Sequence, residues 1–119
     1  MPPVTSIQAI SNTSNRGITF INTEYSGNNR DIGPDQTTNV SNCWIPWCTK
    51  SSDFPMHHLQ IQDDNTDQVL WFVWQSGDSV RASKTGFDPN AGTIPGVAAA
   101  GHSLALMFLS DGSLRSNNY

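Results

Sequence analysis

The stretch Gln68 to Gln75, QVLWFVWQ, constrains the fold of this 119-residue chain more than any other. Read as a strand, it is apolar on both faces, and a strand of that kind is covered on both sides. In a sandwich one face meets the opposite sheet. The outer face then needs a loop or another chain to cover it.

Helices are a poor alternative for the rest of the chain. Glu24 is the only Glu, and Lys50 and Lys84 are the only Lys. β-branched residues and turn formers dominate, which favours an all-β domain. Hydrophobic content is 36% and charged content 13%, low enough to raise the question of disorder. Four Trp, five Phe and two Tyr answer it, because disordered chains are poor in aromatics.

Alternation then places the strands. Val4 to Ile10 reads as a first strand and Ile18 to Tyr25 as a second. The run 26 to 36 reads as a long loop. Thr37 to Val40 reads as a short edge strand, and Trp44 to Trp47 as a broken one, since Pro46 cannot donate to a ladder. His57 to Gln62 alternates with Leu59 and Ile61 inward. The run 63 to 67 turns it into Gln68 to Gln75, and 76 to 78 turns that into Ser79 to Ser83. A Gly/Pro/Ala loop fills 84 to 101, and a last strong strand spans Ser103 to Leu109. A tight turn leads to a weak terminal strand. Residues 1–119 are thus expected to form one domain, an antiparallel β-sandwich or jelly roll of eight or nine short strands.

Charge and segment character exclude several partners. The net charge is −4, and Arg16, Arg30, Arg81 and Arg115 are scattered. Nucleic acid requires a positive stripe, so it is not an expected partner. No stretch is long enough to span a bilayer, and the opening residues lack the basic and apolar regions of a signal peptide. A cytoplasmic protein without membrane insertion is the expectation.

The run NCWIPWCTKSSDFPMHH, residues 42 to 58, concentrates the chemistry-bearing residues. Cys43, Cys48, His57 and His58 raise the question of zinc. Adjacent His on a strand point to opposite faces, which weighs against one shared ion. Two buried thiols or a local disulfide is the simpler reading, and a reducing compartment favours thiols. Asp63, Asn65 and Asp67 resemble the start of a calcium loop, but its Gly and distal Glu are missing. Asp53, His57 and His58 with Ser51 or Ser52 would make an acid–base set with a nucleophile, yet no strained elbow or oxyanion loop accompanies them. Neither metal, cofactor nor catalysis is expected.

Neutral sugars fit the composition better. A Trp covers the C–H face of a pyranose, while Asp, His, Gln and Arg exchange hydrogen bonds with its hydroxyls. Pairing of 57 to 62 with 68 to 75 brings His57 and His58 near Trp74 and Gln75. The expected sugar site is therefore Trp47 or Trp74 as platform, with Asp53, His57, His58, Gln75 and Arg81 as polar contacts. Trp71 with Val73 reads as core, Trp44 more often as a core plug, and the face of Leu70, Phe72 and Trp74 as a possible subunit contact.

The segments WIPWCTKSSDFPMHHLQI (44 to 61) and LWFVWQSGDSVRAS (70 to 83) resemble the small cytosolic fruiting-body lectins of mushrooms, the fucoside- and mucin-binding type. The resemblance implies a sandwich like a viral capsid jelly roll and a homodimer. It also implies sugar sites near the subunit interface and a toxic, defensive role against grazing animals. Fucose enters only through it. A lectin for fucosylated or other neutral glycans on glycoproteins or glycolipids is the leading expectation. A membrane-active β-sandwich toxin comes second and a hydrolase third.

Overall fold

The structure, a computed structural model, describes residues 4–119, save the side chains of Ser41 and Asn42. Nine strands form: β1 (Ser6–Asn12), β2 (Ile18–Asn22), β3 (Arg30–Ile32), β4 (Gln36–Trp44), β5 (Leu59–Asp63), β6 (Val69–Ser76), β7 (Ser79–Ser83), β8 (Ser103–Phe108) and β9 (Leu114–Asn118). They build two sheets, in the orders β4-β1-β8-β9 and β3-β2-β5-β6-β7. The period-2 pattern sends one row of side chains from each strand between the sheets. From the first sheet come Ile7, Ile10, Val40, Leu104, Leu106 and Phe108. From the second come Ile18, Phe20, Leu59, Ile61, Val73 and Val80. All twelve are at most 1% exposed, so the layer between the sheets is dry and the fold is a β-sandwich.

Three features differ from the sequence reading. The expected sheets were antiparallel, but β1 and β8 run parallel, with Ile7 opposite Leu104 and Ile10 opposite Leu106. Parallel neighbours need a long crossover, and here most of the chain supplies it. The strand order carries the sandwich and does not establish the jelly-roll order. Residues 30–32, read as loop, form β3 and pair with β2. Finally, Thr37–Val40 and Trp44 are not separate pieces. They belong to one nine-residue strand, β4, on the edge of the first sheet.

β6 is the two-faced strand expected at 68 to 75. Val73 lies in the main core opposite Leu59, and Trp71 packs on that core opposite Ile61. Leu70 packs there too, where the register of β6 slips against β5, rather than with Phe72 and Trp74. The outer face is covered by the chain's own loops. Trp74 lies in a second apolar cluster with Cys48, Phe54 and Ala91, flanked by Phe72 and Phe87. Phe54 is its hub: its ring meets Trp74 edge-on at 5.4 Å, stacks on His58 at 4.1 Å and touches Phe87 at 5.5 Å. Of the two covers open at sequence level, loop or partner chain, this face takes the loop.

The long loop 84 to 101 also closes the sandwich at the side. Thr93 and Ala99 bridge to Arg81 and Ser79 on β7, while Gly96 bridges to Ser116 on β9. It thereby covers edge strands of both sheets. Gly96 lies at φ +96°, and a Cβ there would fall 1.9 Å from the Ser116 carbonyl oxygen. Only glycine fits both the backbone angle and the close approach.

Candidate functional site

The crossing between the sheets positions the site. β4 ends at Trp44, and the next three residues carry the chain to the second sheet. The Ile45 amide donates to the Thr5 carbonyl at 2.9 Å, holding the segment to the first sheet. The Gln75 amide then donates to the Pro46 carbonyl at 2.8 Å, and the Cys48 amide to the Gln75 carbonyl at 3.0 Å. Segment 46–48 thus adds itself beside the end of β6. Along it Cys43, Ile45, Pro46 and Cys48 are buried, whereas Trp44 is 63% and Trp47 37% exposed. Two indoles are held outward because their neighbours are anchored inward.

These indoles line an open pocket of about 380 Å³ with Val4, Pro46, Glu24 and His57. Glu24 arrives from the far side of the sequence. Thr23 and His58 tie the two segments together, the Thr23 amide donating to the His58 carbonyl at 3.1 Å and the His58 amide to the Thr23 hydroxyl at 3.0 Å. The following Glu24 and preceding His57 are thereby brought side by side, and His57 Nδ1–H donates to Glu24 Oε2. The Glu24 amide is held by Asn22 Oδ1 at 2.9 Å. Among the described residues, neither indole N–H of Trp44 and Trp47 has a hydrogen-bond partner, and neither does His57 Nε2. Apolar ring faces and open donors and acceptors therefore share one pocket.

A second cleft of about 330 Å³ adjoins it, with Trp47 as the wall common to both. Thr49, Asp53, Gln75 and Gly77 complete its lining. Cys48 also borders it, and burial raises its thiol pKa above the usual value.

The seven residues expected at a sugar site do not stay together. Trp47 and His57 come together in the first pocket; Trp47, Asp53 and Gln75 line the second. His58 and Trp74 belong to the interior, as corrections to the sequence reading. Trp74 is 1% exposed inside the second apolar cluster, so its ring offers no platform. His58 is 3% exposed and both ring nitrogens are engaged: Nδ1–H donates to the Phe54 carbonyl, and Nε2 accepts from Gln60. Burial lowers its pKa below the usual His value, which the Phe54 hydrogen bond only partly opposes. Arg81 lies in neither pocket. Its guanidinium donates to the Ala91 carbonyl at 2.7 Å and to Ser79 Oγ at 3.1 Å, which fastens the long loop to β7.

The sequence reading missed Glu24 and Thr49, and it set Trp44 aside as a core plug. Glu24 carried one signal, as the sole Glu of the chain. Trp44 carried another: counted as a strand residue from a buried Cys43, it must point outward. Cys43 itself belongs to the main core, and Cys48 to the second cluster; both are free thiols. Burial pushes the Cys43 thiol up to about 12, opposed in part by the Asn22 amide at 3.6 Å from its sulfur. Among the described residues, no three His, Cys, Asp or Glu side chains are grouped to hold a metal ion.

No protein-family model matches the chain, and neither a curated protein nor a solved structure matches it.

Proposed function

We propose that this chain is a lectin, which holds a neutral sugar between Trp44 and Trp47 and does no chemistry on it. One observation carries the reading: two outward indoles with open N–H groups share a pocket with a carboxylate–imidazole pair. A pyranose is amphipathic in the same sense, with C–H faces for the indoles and hydroxyls around its rim. The carboxylate accepts from hydroxyls through charge-assisted hydrogen bonds, and His57 Nε2 exchanges one more. Fucosylated glycans are the first candidates, through the resemblance alone. The homodimer also rests on the resemblance, since β6 takes its outer cover from its own chain.

The exposure of Trp47 sets the size of the effect. A Trp presents about 250 Å² when fully exposed, so 37% is about 90 Å², and burying that is worth about 2 kcal/mol. Trp47→Ala is therefore expected to weaken sugar binding about 30-fold. Purified protein is screened on a glycan array and the best glycan is titrated against wild type, Trp47→Ala and Trp44→Ala. A screen without any binding glycan, or equal affinity in all three proteins, overturns the proposal.

A second reading has a specific observation in its favour. Val4, Trp44 and Trp47 line the pocket, and the exposed Tyr25 and Met56 adjoin Glu24 and His57 in sequence. Such a rim suits the interfacial region of a bilayer, as a membrane-active toxin requires. Lysis of sugar-free liposomes would favour it, and agglutination blocked by a simple sugar would favour the lectin.

A further inference from the structure

We propose that the two clefts sharing Trp47 form one extended site, and that the ligand is an oligosaccharide with one unit in each. This rests on the sugar reading above and adds the ligand's class and its second anchor. Three observations carry it.

First, the clefts have a common wall. Trp47 lines both, so occupants of the two meet at one indole. A separation of one aromatic side chain is the span of a glycosidic linkage between adjacent rings. Trp47 is also held at its backbone, through the flanking hydrogen bonds to Gln75 at 2.8 and 3.0 Å. The wall is thus fixed rather than a mobile loop tip.

Second, the clefts differ in chemistry in a complementary way. The first offers two indoles, Val4 and Pro46, with one carboxylate–imidazole pair. It suits a unit with a broad C–H face. The second offers a hydroxyl and a carboxylate from Thr49 and Asp53, beside Gln75, whose buried side-chain amide donates to the Gly77 carbonyl at 3.0 Å. It suits a unit recognised by its hydroxyls.

Third, two polar groups of the second cleft, on Thr49 and Asp53, are not consumed by the fold. Within the described chain neither the Asp53 carboxylate nor the Thr49 hydroxyl has a hydrogen-bond or ion-pair partner. The Asp53 backbone is fixed by the turn that buries Phe54, its amide donating to the Lys50 carbonyl at 3.2 Å and its carbonyl accepting from the Met56 amide at 3.2 Å. A carboxylate on a fixed backbone, with its lone pairs open, is placed to accept from sugar hydroxyls through charge-assisted hydrogen bonds.

The test is a ratio. Isothermal titration compares the methyl glycosides of fucose, galactose and N-acetylglucosamine with the best-binding oligosaccharide from the array that contains the same unit. Wild type is expected to bind the oligosaccharide at least tenfold more tightly than the corresponding methyl glycoside. Asp53→Asn removes the charged acceptor at nearly constant shape, and Thr49→Trp fills the second cleft from an exposed position. Each is expected to lower the oligosaccharide-to-monosaccharide ratio at least fivefold, with an unchanged thermal melt to show that the fold is intact. A wild-type ratio near one overturns the extended site but leaves the lectin standing. So does a ratio that survives both substitutions. Failure of every saccharide to bind overturns the sugar reading itself, and the extended site with it.

Discussion

Trp74→Ala separates a packing role for this indole from a binding role. Trp74 is 1% exposed, and its ring lies 5.4 Å from Phe54 and 5.7 Å from Phe87. Burying a side chain of this size removes about 150–250 Å² from water, worth about 4–6 kcal/mol at about 25 cal/mol per Å². Ala keeps a small part of that, and Trp→Ala changes in cores cost about 3–5 kcal/mol. A domain of this kind has about 5–15 kcal/mol in all, so the loss is between a fifth and the whole of it. Urea titration followed by far-UV circular dichroism reads the change. With a slope of about 1.5 kcal/mol per M, the midpoint falls by about 2–3 M. If the variant is already unfolded without urea, Trp74→Phe supplies the measure, since it keeps an aromatic ring against Phe54 and recovers most of the loss. Trp44→Ala is the control: at 63% exposed its midpoint moves far less. A Trp74→Ala midpoint within about 0.5 M of wild type would refute the sealed packing of this indole against Phe54 and Phe87.

Gly96→Ala is expected to lower the melting temperature more than any other glycine-to-alanine change in the 84–101 loop. Its Cβ would sit 1.9 Å from a backbone oxygen, whereas Gly86, also at positive φ, has nothing within 4 Å; comparable melts for the two variants would count against the close approach. Stability is expected to fall on acidification through the ordinary His range. His58 has a lowered folded-state pKa, so below about pH 6.5 the unfolded chain binds the proton more readily than the folded one. The contribution is intact above that pH and lost as the pH drops from there toward the folded value. Urea midpoints at pH 7.5 and 5.5 check it, and a His58→Gln variant should show a weaker dependence than wild type.

Local alternation made most of the strands legible. β5 pairs inward Leu59 and Ile61 with outward Gln60 and Gln62, β2 and β8 alternate in burial although Ile21, Ala105 and Met107 lie on their outer faces, and β6 announced two buried faces. β3 escaped because Arg30-Asp31-Ile32 has one inward apolar residue in a turn-rich run. β4 looked like fragments because it is an edge strand whose residues 36–42 are mostly polar, with Val40 and Cys43 as its core anchors. At the site, Trp47 and His57 were readable as chemistry, but the second partner of each was not. Glu24 reaches His57 only through the Thr23–His58 tie, across 33 residues of sequence. Trp74 was misread for the same reason. Pattern tells which way a side chain leaves its strand, not whether Phe54 and Phe87 will fold over it.

On a ribosome, β1 emerges early and waits longest. One neighbour, β4, follows by residue 44, but the other is made of residues 103–108. Every strand of the second sheet lies between residues 18 and 83, so that layer can be complete while the first is half built. At about 5–20 residues per second, the wait between β4 and β8 lasts about 3–12 s. Throughout it, one side of β1 has unsatisfied amides and carbonyls, next to Ile7 and Ile10 with no opposite Leu104 or Leu106. A nascent or refolding chain at that stage offers other copies a templating edge, so clumping during renaturation should grow steeply with concentration until the C-terminal strands dock.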